Sequence, residues 1–180
     1  ASEQPPGGLS FCPACPRALR PEDLRQKIEE ECQACDLHQD YRLRISLIKS
    51  GEIEIERQVL TPLSSSFCQA KLCQKEADLE QAFTYFKTTH RPHLTVGEQE
   101  IIYHTADGKL LETTIGNLVL KMDGKLYTPP SQLGLLPGIY RQHLLESGQV
   151  EEKVLTLSDL KEAEVIYGCN AVRGLYELKT

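Results

Sequence analysis

Along this chain the spacing of apolar positions changes from helical to alternating. After a Pro- and Gly-rich start over residues 1 to 20, "RPEDLRQKIEEECQAC" carries Leu24, Ile28, Cys32 and Cys35 at helical spacing. This predicts a helix with those four side chains as a buried stripe. Pro21 suits its first turn, and Glu22 and Asp23 suit the positive end of its dipole. "YRLRISLIKSGEIEIERQVL" then alternates apolar and other residues on both sides of "KSGE", which predicts a β-hairpin. "LTPLSSS", residues 60 to 66, reads as a linker. "FCQAKLC" predicts a short strand, and "EADLEQAF" a short helical or turn segment leading into "TYFKTTHR".

The second half is richer in strands. "EIIYHTADGKLLETTIGNLVLKMDGKLYTPP" predicts a run of strands with tight turns at "ADGK" and "MDGK", where Asp-Gly supplies the positive-φ positions that a hairpin needs. "SQLGLLPGIYRQHLLESGQ" predicts a Gly/Pro loop that opens a helix. "LTLSDLKEAE" predicts a second short helix capped by Ser158. "EVIYGCNAVRGLYEL" predicts a buried strand, a tight loop and a final segment. No internal repeat or low-complexity tract interrupts this order. The pattern divides the chain into a small N-terminal α+β domain (1–60, helix plus hairpin), a linker (61–66) and a larger, β-rich C-terminal domain (67–180).

Composition narrows the class without naming a chemistry. A hydrophobic content of 40% and a charged content of 26% are those of a globular protein, and no stretch approaches the length of an apolar membrane helix. No basic start leads into an apolar signal core, so the expectation is a cytoplasmic protein. The formal charge of −6, with Lys and Arg scattered, argues against nucleic acid or an anionic membrane as partner.

Cysteines raise a separate possibility. Seven thiols without a secretion signal read as reduced. Cys12, Cys15, Cys32 and Cys35 have the spacing of a structural zinc site, which would make the protein a zinc-binding adaptor. The intervening helix argues against that reading. From Pro21 to Cys32 it advances roughly 16 Å, and the few residues before Pro21 would have to run back that distance nearly extended. No metal is expected, and the second pair reads as core cysteine.

The candidate chemistry begins at "YFKTTHRPH", residues 85 to 93. Lys87 follows an aromatic run (Phe83, Tyr85, Phe86) and precedes small hydroxyl side chains. It is either a solvated loop charge or an amine held in a pocket. Three further segments bear on the choice: "LLETTIGNLVLKMDGKLYTPP" (110–130), "GLLPGIYR" (134–141) and "EVIYGCNAVRG" (164–174). With "KTTHR" (87–91) they resemble, in order and rough spacing, the fold-type IV pyridoxal-phosphate (PLP) enzymes. These are the branched-chain and D-amino acid aminotransferases and aminodeoxychorismate lyase. "KTT…R" and "CNA" look more like the lyase branch.

The resemblance implies a two-domain fold, a PLP cofactor, a small-molecule amino substrate and a homodimer. Lys87 matches the family's Schiff-base lysine, an amine that holds the cofactor and shuttles the α-proton. Glu112 matches the acid that keeps the pyridine nitrogen protonated, so that the ring acts as an electron sink; taken alone it reads as an edge-strand surface glutamate. Thr113, Thr114 and Asn117 follow the family's acidic block, with Thr113 in place of the usual glycine. Asn117 reads as a structural hydrogen-bonder. Ile139 and Tyr140 match the amides that face the phosphate at a helix start. Asn170 and Ala171 match a second phosphate-side loop. Arg141 and Arg173 read as structural ion pairs. His90 and His93 lie near Lys87, but the family requires no histidine there. Arg42 and Arg44 in the hairpin are candidates for a carboxylate-rich substrate, or simply an exposed strand face.

Two family segments have no counterpart in the sequence: a first strand with a His-x-x-Arg element, and the full helix after "KTTHR". The expectation is therefore either a shortened member or a sequence from which those segments have been left out. The leading function is elimination of pyruvate from 4-amino-4-deoxychorismate to give 4-aminobenzoate for folate synthesis. A transaminase of the same fold is the first alternative, and an inactive remnant acting as a binding protein the second.

Overall fold

A computed structural model describes residues 20–48, 50–61, 67–75, 85–88 and 99–180. The linker residues 62–66, the segment "EADLEQAF", His90, His93, Cys12 and Cys15 lie outside the described residues. The chain divides into two compact units, 1–62 and 63–180.

In the first unit, helix α1 spans Pro21–Gln33, with Pro at its start and Glu22 and Asp23 in its first turn. No side chain caps it, and Arg20 pairs instead with Asp23 at 3.0 Å. Strands β1 (Tyr41–Leu47) and β2 (Ile53–Val59) form the expected hairpin, antiparallel with Ile45 opposite Ile55. Gly51 takes the positive φ of 88° at its turn. The cysteine stripe needs correction. The half-buried positions are Asp23, Leu24, Ile28, Glu31 and Cys35, whereas Cys32 is exposed. Helical geometry explains this. At 3.6 residues per turn, position 31 lies about 20° from position 24 around the helix, whereas position 32 lies about 80° from it, at the edge of the stripe.

The second unit is built on one mixed sheet. Its strands are β3 (Phe67–Gln74), β4 (Glu100–His104), β5 (Leu110–Thr113), β6 (Asn117–Met122), β7 (Lys125–Thr128), β8 (Glu151–Glu152), β9 (Val165–Asn170) and β10 (Gly174–Lys179). Their order is β5-β4-β3-β10-β9-β6-β7-β8, and a further pairing of β5 with β6 closes six of them into a ring. That closing pair is Glu112 opposite Asn117. The Asp-Gly turns form as the sequence predicts, with φ of 79° at Gly108 and of 50° and 74° at Asp123 and Gly124.

Period-2 alternation assigns the two faces of each strand to two cores. Leu118 and Leu120 of β6 join Ala70, Ile102, Leu110, Tyr176 and Leu178 in one cluster, with Leu155 and Leu160. Val119, between the two leucines, turns to the other face and meets Leu144, Val150 and Cys169. This second cluster lies under helix α2 (Ile139–Glu146), whose Leu144 is buried. Helix α3 spans Leu157–Glu162. Its cap is Thr156 rather than Ser158. Thr156 accepts from the Asp159 N–H, and the Asp159 side chain accepts from the Thr156 N–H, a reciprocal box. Ser158 lies inside the first turn, where its hydroxyl cannot take the N-cap position.

Candidate functional site

Strand β5 is buried over its whole length, and its third residue is Glu112, 2% exposed. Such a carboxylate is far from the edge-strand surface residue that the sequence alone would allow. A buried anion needs a cation or strong donors close by. Glu112 has both. Lys75, which follows β3, places Nζ 3.0 Å from Oε1, and the Leu136 N–H donates to Oε2 at 3.2 Å. Lys75 is itself buried, with its ammonium 5.9 Å from the Tyr103 ring centre.

Asn117 completes the arrangement. Its side-chain amide donates to the Leu136 carbonyl at 2.7 Å. Glu112 and Asn117 are partners across the β5–β6 junction. They therefore grip Leu136 by both backbone groups, one by the N–H and the other by the C=O. That grip fixes the loop 134–138, and α2 starts immediately after it. Gly138 is the N-cap of α2, in extended conformation (φ −67°, ψ 141°), and contributes no side-chain cap. A Cβ at Gly138 would land on Asn117 Oδ1. The close approach of the loop to β6 thus depends on glycine.

Ile139 and Tyr140 form the first turn of α2. The first intrahelical bond runs from the Gln142 N–H to the Gly138 carbonyl at 2.9 Å. The N–H groups before it have no acceptor within the helix, and they carry its positive dipole end. The Ile139 side chain is 82% exposed, so nothing apolar covers that end from its own residue. Tyr140 packs into the cluster under the helix, and its hydroxyl lies against Gly174.

The loop after β9 is held by Asn170. Its Oδ1 accepts from the N–H groups of Val172 and Arg173 at 3.0 and 2.9 Å, and its Nδ2 donates to the Ile115 carbonyl at 3.3 Å. Ala171 is exposed at the tip. Ile115 belongs to the turn between β5 and β6, where the Thr113 hydroxyl accepts from the Gly116 N–H at 3.1 Å. The ends of β5, β6 and β9, together with the start of α2, therefore meet at one end of the ring. The arrangement offers a buried carboxylate, a helix N-terminus and a polar turn side by side.

Behind this end lies a second buried acid. Glu100, at the start of β4, receives the Tyr176 hydroxyl at 3.3 Å. Burial raises its carboxyl above the ordinary value, and burial with the Glu100 charge pushes the Tyr176 hydroxyl up. Burial likewise pushes the Cys169 thiol up to about 11.

Of the other candidates, Lys87 lies in the described stretch 85–88 and is exposed, directly after exposed Phe86. Arg42 donates to Gln58 across the hairpin at 2.5 Å. Arg44 stands 3.7 Å from Glu56, with both side chains exposed. Arg141 does serve structure, as its residue type suggested. Its buried guanidinium donates to the Pro129 carbonyl at 2.8 Å and pairs with Glu152. The sequence reading missed Lys75 and Leu136. Lys75 merely ends an alternating run, and a backbone N–H leaves no trace in a residue code. Among the described residues no cluster of His, Cys, Asp and Glu could hold a metal, and no helix is long and apolar enough to cross a membrane.

Comparisons with known proteins bear on this geometry. Residues 12–179 match the protein family described as amino-transferase class IV. A Schizosaccharomyces pombe protein named "Putative aminodeoxychorismate lyase" is 32% identical over 78 residues, covering 42% of this chain and 34% of that protein. A Vibrio harveyi "Aminodeoxychorismate lyase" is 25% identical over 120 residues, covering 59% of this chain and 44% of that one. The chain thus spans less than half the length of either curated relative. The crystal structure of a "Putative amino-acid aminotransferase" from Mesorhizobium loti superposes with a TM-score of 0.77 at 26% identity, over 90% of this chain and 82% of that one. A family match over nearly the whole chain and a shared fold lead to one assignment: the chain belongs to the class IV aminotransferases, a family of PLP-dependent enzymes with the two-domain fold-type IV architecture.

Proposed function

We propose that this protein is a PLP-dependent lyase of the aminodeoxychorismate lyase type, releasing pyruvate from 4-amino-4-deoxychorismate to leave 4-aminobenzoate for folate synthesis. The observation that carries the reading is the double grip on Leu136. It sets a buried carboxylate, Glu112, beside the first turn of α2. The residues fit the cofactor. A buried carboxylate is the group that a pyridine N–H requires as acceptor, and Glu112 supplies one. The uncapped start of α2 suits a phosphate. The names of the Schizosaccharomyces and Vibrio relatives support the lyase over other chemistries of the family.

In this reading Glu112 accepts the pyridine N–H, the amides of Ile139 and Tyr140 hold the phosphate, and the turn at Asn170 and Ala171 closes its other side. When bound, PLP supplies a ring that withdraws electrons from the substrate's α-carbon. Lys87 is the amine that anchors the cofactor and then carries the proton at the α-carbon. Arg42 and Arg44 are assigned to the substrate carboxylates. Arg44 would exchange a weak exposed ion pair, worth about 0–1 kcal/mol, for a substrate carboxylate. Residues 67–180 form the cofactor-binding domain, residues 1–60 the small domain joined to it by 61–66, and the protein works as a cytoplasmic homodimer. A second reading, an amino-acid transaminase, is favoured by the likeness to the Mesorhizobium structure.

The test combines cofactor and product. PLP added to the wild-type protein is expected to give an imine absorbance band. Borohydride should then trap the pyridoxyl group on Lys87, and Lys87→Ala should abolish both. Aminodeoxychorismate should yield pyruvate and 4-aminobenzoate without an amino acceptor. Absence of the band and the trapped lysine refutes the reading. A product that depends on an added keto acid selects the transaminase.

A further inference from the structure

We propose that Lys75 is a positioning residue that holds Glu112 as an oriented anion, ready to accept the pyridine N–H. This inference rests on the cofactor role assigned to Glu112 above. Its evidence, however, is a contact within the polypeptide. Lys75 and Glu112 have side chains 4% and 2% exposed, with Nζ and Oε1 3.0 Å apart. A lone carboxyl at that depth would retain its proton, because burial disfavours the charged form. A protonated acid cannot accept the ring N–H in the way an electron sink requires. The ammonium reverses that preference. It also fixes the orientation of the group, since Lys75 takes Oε1 and the Leu136 N–H takes Oε2.

The backbone holds Lys75 in place. Its N–H donates to the His104 carbonyl at 2.8 Å, continuing the parallel ladder in which Gln74 faces His104. The ammonium faces the Tyr103 ring. Groups that face this pair include the Tyr103 ring from β4 and the Leu136 N–H from the loop before α2. The half-buried His104 ring donates from Nδ1 to the carbonyl of its own neighbour, Thr105, at 2.9 Å.

Lys75 could not itself anchor the cofactor in this arrangement. Its amine lies against the carboxylate assigned to the ring nitrogen, and the aldehyde carbon lies across the ring from that atom. In this reading Lys75 would act on Glu112 alone and leave the anchoring of the cofactor to Lys87.

The experiment uses the 180-residue chain as wild type, Lys75→Met, Glu112→Gln and the double variant, first without cofactor. In Lys75→Met the Glu112 carboxyl should rise above its unfolded value of about 4.3. Stability from such a group is fully present below the unfolded value and is lost as pH rises toward the folded one. Between those values the folding equilibrium constant of Lys75→Met should fall about tenfold per pH unit relative to wild type, the slope of one bound proton. The double variant should lose this extra slope. Where Lys75→Met folds at no pH, recovery of a folded double variant gives the same support, and failure of both variants overturns the proposal. A pH profile of Lys75→Met parallel to wild type also overturns it.

Cofactor titration by absorbance at pH 8 supplies the second arm. PLP should bind Lys75→Met about tenfold more weakly, the scale of one charge-assisted hydrogen bond. Tighter binding would mean that Lys75 competes with the ring for Glu112, which also overturns the assignment. Wild type that binds no PLP while Lys75→Met keeps its steep slope would sink the proposed function and the pyridine-nitrogen role, and would leave the ion pair as a stability element.

Discussion

Replacing Gly138 by alanine tests whether the loop before α2 is set by Asn117. Gly138 sits in an extended conformation that alanine adopts freely, so backbone strain is not the issue. The obstacle is steric, because the new Cβ would fall on Asn117 Oδ1. Either the loop lifts or the Asn117 side chain turns away from the Leu136 carbonyl that it now meets at 2.7 Å. The first is overpacking, about 1–3 kcal/mol. The second strands a carbonyl, also about 1–3 kcal/mol. Alanine is in addition a poorer N-cap than glycine by roughly 0.5–1 kcal/mol. Gly138→Ala should therefore cost about 2–3 kcal/mol, and Asn117→Ala about 1–3 kcal/mol. Once Asn117 is alanine the clash has no partner, so the double variant should cost about 1–2 kcal/mol less than the sum of the singles. Urea unfolding followed by far-ultraviolet circular dichroism measures this, as a shift in midpoint at unchanged slope in the transition of residues 63–180. Costs that add to within about 0.5 kcal/mol would refute the proposed contact. PLP affinity should fall in the same order, because the displaced loop carries the Leu136 N–H away from Glu112.

Glu100 gives a pH-dependent prediction of definite sign. Its folded carboxyl lies above the ordinary value because of burial, so its contribution to stability is present at low pH and fades as pH rises through the folded value. Glu100→Gln should match wild type near pH 4.5 and exceed it by about 1 kcal/mol at pH 8 in thermal or urea unfolding. A variant less stable than wild type at pH 8 would show that the charge is favourable where it sits, beside the Tyr176 hydroxyl. Thiol reactivity makes a third test. Cys169 is buried with its thiol pushed up to about 11, whereas Cys32 and Cys73 are exposed. Iodoacetamide at pH 8 should alkylate Cys32 and Cys73 in the folded protein, and Cys169 only on unfolding, as read by peptide mass spectrometry. Early labelling of Cys169 would mean that the cluster beneath α2 opens far more readily than its packing implies.

Local order was carried by the residues themselves. Alternation produced the hairpin of β1 and β2, Asp-Gly dipeptides marked the turns at Gly108 and Gly124, and Pro21 began α1. These features answer to neighbours a few positions away, so a linear reading reaches them. The order of four motifs also sufficed for the family. Where two neighbouring residues could serve the same local task, the linear reading chose wrongly. Thr156 rather than Ser158 caps α3, and Glu31 rather than Cys32 lies on the half-buried line of α1, because a fraction of a turn decides each case. The surroundings of Glu112 depended wholly on the closed ring. Lys75 stands 37 positions away and Leu136 24 positions away, and each reaches the carboxylate only after β5 pairs with both β4 and β6. Burial and charge pairing are properties of the folded neighbourhood. An acid in the sequence is just an acid until the chain has closed around it and supplied an ammonium at hydrogen-bond distance.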